Sequence, residues 1–266
     1  PGRGSLTWRS RFLSRLVAFS SVNFRQAKVQ KAFSSSSPVI LFDFDGTLVN
    51  TTPLILRSFH ATWEKEFGFT FDDATYIQTF GRYIHAALKD LITQSATEGR
   101  IAAPTDLDAK AVEVLKTYRA FNLAWHDQII EPFAGIDEAL QELKAHGIRM
   151  GIVSSKMRFG VERGLQLFAL TELFEVIIAG DDVTNHKPHP EPLLKALEKF
   201  GAPVEHAIYV GDSVHDIVAG QAAQMRTAGA AWGPFPRASL EELQPNFLLE
   251  KPQDLPTLCQ AFAAQS

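Results

Sequence analysis

Residues 39–50 read VILFDFDGTLVN, and the fold follows from how this stretch ends. Val39, Ile40, Leu41 and Phe42 form a short, continuously apolar run bounded by turn residues, the pattern of a parallel strand buried on both faces. That strand ends in Asp43 and Asp45, whose spacing of two sends both carboxylates out on the same side of the chain. Gly46 then permits a sharp turn and a close approach of backbone to ligand. Two carboxylates where a buried strand surfaces must be hydrated, paired or bound to a cation. A hard ion such as Mg²⁺, which takes oxygen ligands from carboxylates and substrate phosphate, is the expected compensation.

Downstream of this strand the pattern is helical. Thr51-Thr52-Pro53 reads as a hydroxyl cap followed by proline in a first helical turn, and Leu56, Phe59, Trp63 and Phe67 recur at helical spacing. Ile84, Leu88, Leu91 and Ile92 mark a second helix, and Val112, Leu115, Tyr118 and Phe121 a third, with a loop over 99–104 between them. This all-helical insert ends near Glu131-Pro132-Phe133. Helices and apolar runs then alternate: strands over 148–153, 175–179, 207–210, 227–231 and 246–249, with helices from Ile136 to Gly147 and over 157–170, 192–200 and 214–224. Such alternation predicts an α/β fold, a Rossmann-like parallel sheet covered on both faces. The expected organisation is a core of residues 38–52 and 133–266, a helical cap of 53–132, and a leader of 1–37.

The leader carries seven basic residues, no acid and nine serines. The remaining residues hold 19 basic and 30 acidic side chains, a net −11. An acid-free, serine-rich leader resembles an organelle transit peptide; an upstream extension without function is the alternative. No basic surface continues into the acidic body, which argues against a nucleic-acid partner. No uncharged apolar run approaches the roughly 18 residues that span a bilayer, so no membrane partner is expected. Cys259 is the only cysteine, which excludes an intrachain disulfide and a cysteine metal site, and fits a reducing compartment. The cytoplasm is expected, or a mitochondrion or plastid if 1–37 is a transit segment.

Ligands of such sheets bind at the carboxyl ends of the strands. Chemistry appears at four of them: Asp43 with Asp45, Ser154 with Ser155, Lys187 in the loop DDVTNHKPHP, and Asp212 with Asp216 one helical turn later. Singly these have ordinary explanations, Ser154 as a helix cap, Asp216 as an acid at a helix N-terminus, Lys187 and Lys156 as solvated loop lysines. An acid pair, a hydroxyl, a lysine and a second acid pair at four strand ends are not explained that way.

DFDGT, the serine after a strand, the lysine before a proline and GDSVHD resemble, in order, the four motifs of the haloacid dehalogenase superfamily, over about residues 38–250. The resemblance implies that Asp43 is the nucleophile forming an aspartyl-phosphate, and that Asp45 is the general acid and base. It implies Mg²⁺ held by Asp43, the Asp45 carbonyl and Asp212, with Asp216 on a metal-bound water. Lys187 and the metal would offset phosphoryl charge, and Ser154, the N–H groups beside Ser155 and the Gly46 turn would bind phosphate oxygens. The superfamily's dehalogenases lack an acid at the position of Asp45, which points to phosphoryl transfer and not dehalogenation.

The stretches YRAFNLAWHDQII, GIVSSK, HKPHPEPL and GDSVHDIVAGQ are similar to the superfamily's bacterial inorganic pyrophosphatases, and nearly as similar to its phosphoglycolate phosphatases. A small phosphorylated substrate is therefore expected, in a monomer or a homodimer. Cap candidates for specificity are His60, Gly81, Arg82, Arg119, Trp125 and His126, with His215 from the core, and Arg82 beside Gly81 is the favoured anion clamp. Trp63 and Trp125 have cap core as their ordinary role. A sugar-phosphate mutase and a catalytically idle binding protein on the same fold are the alternatives. Asn50, where many relatives carry an acid, argues against the mutase, and the intact Asp43, Asp45, Lys187 and Asp212 argue against the idle protein.

Overall fold

The computed structural model describes residues 37–263, so the expectations for the leader, all but its last residue, lie outside the described residues. The first half of the chain runs β1 (Val39–Phe42), β2 (Val49–Asn50), α1 (Thr52–Phe67), α2 (Asp73–Ile77), α3 (Ile84–Thr97), α4 (Leu107–Ile129) and β3 (Glu131–Pro132). The second half alternates: α5 (Ile136–Ala145), β4 (Arg149–Val153), α6 (Arg158–Leu167), β5 (Val176–Ile178), α7 (Glu191–Phe200), β6 (Ala207–Gly211) and α8 (Val214–Ala222). It closes with β7 (Arg226–Ala230), α9 (Arg237–Glu241), β8 (Phe247–Leu249) and α10 (Cys259–Ala263).

Six strands form one sheet in the order β5-β4-β1-β6-β7-β8, every neighbouring pair parallel. β1 is central because its residues are apolar on both faces. Ile40 and Phe42 join Met150, Ile152 and Val210 against Leu140 of α5 and Val161 and Leu165 of α6. Val39 and Leu41 join Tyr209 against Leu193 and Phe200 of α7. The register sets Phe42 beside both Ile152 and Val210, so the ends of β1, β4 and β6 lie level. The residues that follow these three strands therefore meet at one edge of the sheet.

The helical segment has a core of its own. Phe59 and Trp63 of α1, Tyr76 of α2, Leu88 and Leu91 of α3 and Val114 and Tyr118 of α4 form a separate apolar cluster rich in rings. Phe59 stacks on Tyr76 at 4.9 Å between centroids. Trp63 is buried there as expected, whereas Trp125 packs against the core cluster, stacked on Phe121 and covered by the Arg57 guanidinium. Asp72 and Asp106 cap α2 and α4 by accepting from the N–H groups of Thr75 and Ala109.

Three features differ from the sequence expectations. The helix beginning at Thr52 has Pro53 in its first turn, but Thr51 makes no cap bond, and its buried Oγ1 has no partner. The short α2 between the first two insert helices was not expected. Finally, the chain leaves and re-enters the core through a ribbon, β2 pairing antiparallel with β3. Two-residue strands are too short to show any periodicity. No described helix is long and apolar enough to cross a membrane.

Candidate active site

Four loops at the carboxyl edge of the sheet bring the motif residues together. Asp43 follows β1, its N–H donating to the Val210 carbonyl of β6 and its Oδ1 accepting from Phe44 N–H at 2.7 Å. Asp212 follows β6, and Thr47 donates to its Oδ1 at 2.7 Å. Gly46 adopts φ +81°, and a Cβ there would run into the Asp212 carboxylate, so the first turn and the fourth motif touch only because position 46 lacks a side chain. Asp43, Asp212 and Asp216, all buried, offer carboxylate oxygens within 4.8 Å of one another.

Lys187 is the counter-charge. Only 4% exposed, it lies 3.1 Å from Asp43 Oδ2 and donates to Asp216 Oδ1 at 2.6 Å and to the Tyr209 hydroxyl at 3.0 Å. Asp216 also accepts from Tyr209 Oη at 2.8 Å, and its Oδ2 accepts from the backbone N–H and hydroxyl of Ser213. Asp216 is thus both the capping-box acid of α8 and the anchor of Lys187, with both oxygens occupied by protein donors. Of the three clustered acids it is the least free to meet an ion directly.

The electrostatics follow from three acids against one ammonium. Burial lifts the Asp43 carboxyl to about 7, Lys187 opposing the rise while Asp216 and Asp45 add to it. Asp212 is held well above the usual carboxylate range by burial and by Asp216 and Asp43, against the Thr47 bond and Lys187. Burial also acts on Asp216, but there Lys187 and the bonds from Ser213 and Tyr209 win, and its carboxyl stays below the usual range. A buried cluster of oxygen donors with unbalanced negative charge fits a hard divalent cation, whose charge would favour the ionised forms of Asp43 and Asp212.

A cavity of about 340 Å³ opens above Asp43 and Asp45, between the sheet edge and the helical segment. Ser154 and Ser155 line it; Ser154 Oγ accepts from Lys156 N–H at 3.3 Å, and α6 begins only at Arg158, so Ser154 does not cap that helix. Ser155 donates to the Gly81 carbonyl at 2.9 Å, and Gly81, at φ +76°, presses so close to Ser213 that a Cβ would lie 2.6 Å from its hydroxyl. Tyr83 stacks on His186 at 3.9 Å, a second contact between helical segment and core.

Lys156 differs from expectation. It is not a solvated loop lysine: its side chain is 14% exposed, and its Nζ donates to Asp45 Oδ1 at 2.9 Å. Its stem runs beside Gly160, whose missing Cβ leaves the room. Only the neighbouring Ser154 hinted at this. Tyr209 was legible only as a core residue of an apolar strand, because a hydroxyl that reaches across the sheet leaves no trace in periodicity.

Among the cap candidates, Gly81, Arg82 and Arg119 line the cavity. Arg82 is less available than expected, because its guanidinium is ion-paired with Asp90 of α3. His126 is not brought to the cavity: it is buried near the end of α4, its Nδ1 paired with Asp127 at 2.8 Å and its Nε2 without a partner. His60 bonds Thr70 and Asp73 within the helical segment, and neither it nor Trp125 lines the cavity. His215, half-buried beside Gly81, is held below its usual pKa by burial.

Residues 40–230 match the family model for haloacid dehalogenase-like hydrolases. The chain belongs to this family. It is 39% identical over 216 residues, 81% of this chain and 93% of the relative, to a protein named pyrophosphatase PpaX from Bacillus cereus. A crystal structure assigned as a phosphoglycolate phosphatase from Lactobacillus plantarum matches with TM-score 0.70 and 30% identity, covering 84% of this chain and 99% of that one. A haloacid dehalogenase-like hydrolase from Bacteroides fragilis matches with TM-score 0.73 and 27% identity over 82% of this chain and 99% of that one. As a hydrolase of this family, the protein carries the acid cluster and the lysine in one buried site.

Proposed function

We propose that the protein is a Mg²⁺-dependent phosphatase acting through an aspartyl-phosphate on Asp43. The observation that carries this is the convergence of Asp43, Asp45 and Asp212 on one cavity, with the Lys187 ammonium 3.1 Å from Asp43 Oδ2. Asp43 attacks phosphorus, the bond from phosphorus to the leaving oxygen breaks, and Asp45 delivers a proton to that oxygen. Asp45 then takes a proton from water, which attacks the phosphorus of the intermediate and frees phosphate and Asp43. Lys187, fixed by Asp216 and Tyr209, supplies positive charge beside the nucleophile. Ser154, Ser155 and the turn at Gly46 surround the phosphoryl position.

The ion would be held by Asp43, the Asp45 carbonyl and Asp212, with Asp216 in support. When bound it supplies charge neutralisation that keeps Asp43 ionised and stabilises the transferring group. Residues 53–132 act as the cap over the core of 38–52 and 133–266. Pyrophosphate and phosphoglycolate, the substrates in the names of the relatives, are the first candidates. The test is phosphate release from both, with Mg²⁺ and with EDTA, in the parent protein and Asp43→Asn. Mg²⁺-dependent turnover abolished by the substitution is expected; equal release by the two proteins removes the proposal.

A further inference from the structure

The cavity above Asp43 is larger and more apolar than the chemistry at its floor requires. Its 340 Å³ falls in the range of sites that take organic molecules. The floor is polar, but Ile55 and Phe59 of α1, Phe80 and Ile84 around the start of α3, Leu123 of α4 and Phe159 of α6 line the cavity above it. Among the described residues five large apolar side chains are exposed, and two of these, Leu123 at 43% and Phe159 at 61%, stand on this cavity. Large apolar groups gathered at a cavity mark a surface covered on binding, unlike the same groups scattered singly.

The cations of the cavity are mostly engaged. Lys156 is paired with Asp45 and Arg82 with Asp90, which leaves Arg119 as the lining cation without a partner among the described residues. An inorganic diphosphate needs several cations around its second phosphate and gains nothing from hydrocarbon walls. An organic leaving group gains from both shape and desolvation.

We infer that this site also takes phosphate monoesters of apolar alcohols, the hydrocarbon lying along Ile55, Leu123 and Phe159, and that it turns them over with higher kcat/KM than pyrophosphate. The inference rests on the phosphatase proposal above. The bond from Asp43 to phosphorus forms as the bond from phosphorus to the alkoxy oxygen breaks, and the proton from Asp45 completes the alcohol. Water then attacks phosphorus, releasing phosphate and regenerating Asp43. The hydrocarbon takes no part in bond making and contributes through binding alone, so each methylene withdrawn from water raises kcat/KM by up to about fourfold until the cavity is filled.

The experiment measures kcat/KM for primary alkyl phosphates from methyl to octyl, with pyrophosphate and phosphoglycolate alongside, using the full chain with Mg²⁺. The leaving alcohols beyond methyl have nearly constant reactivity, so the slope against chain length reports burial. Leu123→Ser with Phe159→Ser, which removes apolar wall at two exposed positions, is expected to flatten the slope, kcat/KM falling far more for octyl than for methyl phosphate. A slope near unity per methylene in the parent protein, pyrophosphate exceeding the longest esters, or an undiminished slope in the double variant would each overturn the inference. In those three cases phosphate is still released and the phosphatase proposal stands; no release from any compound removes both.

Discussion

Replacing the nucleophile should make the metal-free protein more stable while abolishing its activity. Asp43 is buried among Asp212, Asp216 and one lysine, and its carboxyl titrates near 7 instead of 3.8. A folded-state pKa above the unfolded value means that the native state binds the proton more tightly. The stabilising effect is complete below about pH 4 and is lost as pH rises through 7. Three units at about 1.4 kcal/mol each amount to roughly 4 kcal/mol of lost stability at pH 8, and less than about 2 kcal/mol at pH 5. Asparagine keeps an oxygen for the Phe44 N–H and stays neutral at every pH, so it mimics the protonated form. Allowing for water entry, Asp43→Asn should gain about 2–4 kcal/mol at pH 8, or roughly 5–15 °C in Tm for a domain of this size. The assay is urea and thermal unfolding of both proteins in EDTA at pH 5 and 8. A variant no more stable than the parent at pH 8, or one with the same gain at both pH values, would refute the reasoning.

Other outcomes follow from the same geometry. At a fixed Mg²⁺ concentration that is about a hundred times its Kd at pH 8, the ion should stabilise the parent protein by about 3 kcal/mol, and markedly less at pH 5, where Asp43 holds its proton; equal Tm shifts at the two pH values would contradict the ion site. Lys156→Met removes the partner of Asp45 and should lower kcat by about tenfold or more, with stability changed by no more than about 1 kcal/mol because the pair is partly solvated; an unaltered kcat against Mg²⁺-saturated parent would show that the pair has no catalytic consequence. Tyr209→Phe, which withdraws one bond each from Lys187 and Asp216, should cost about 1–2 kcal/mol of stability and reduce kcat more than it raises KM, read by steady-state kinetics. Gly46→Ala forces a side chain at φ +81° into the Asp212 carboxylate and should cost at least about 1–3 kcal/mol together with most activity; a fully active, equally stable variant would mean that the turn relaxes freely.

Much of this architecture could be read from local pattern. An apolar run such as VILF can only be a doubly buried strand once helices follow it on both sides, and turn chemistry placed the acids, the serines and the lysine at strand ends. Helix boundaries held where the sequence supplied a stop, as at Gly201 after α7 with its left-handed backbone. What the sequence by itself determined was therefore the sheet, the helical insert and the strand-end positions of Asp43, Asp45, Ser154, Lys187 and Asp212. Which of those groups touch was decided by tertiary structure. Lys156 meets Asp45 across 111 residues, and Lys187 meets the Tyr209 hydroxyl across 22, contacts fixed by strand order and by the space that Gly160 leaves. Arg82 turns to Asp90 and His126 stays buried away from the cavity for the same reason: a long side chain takes the partner that packing brings within reach, and no local pattern names that partner.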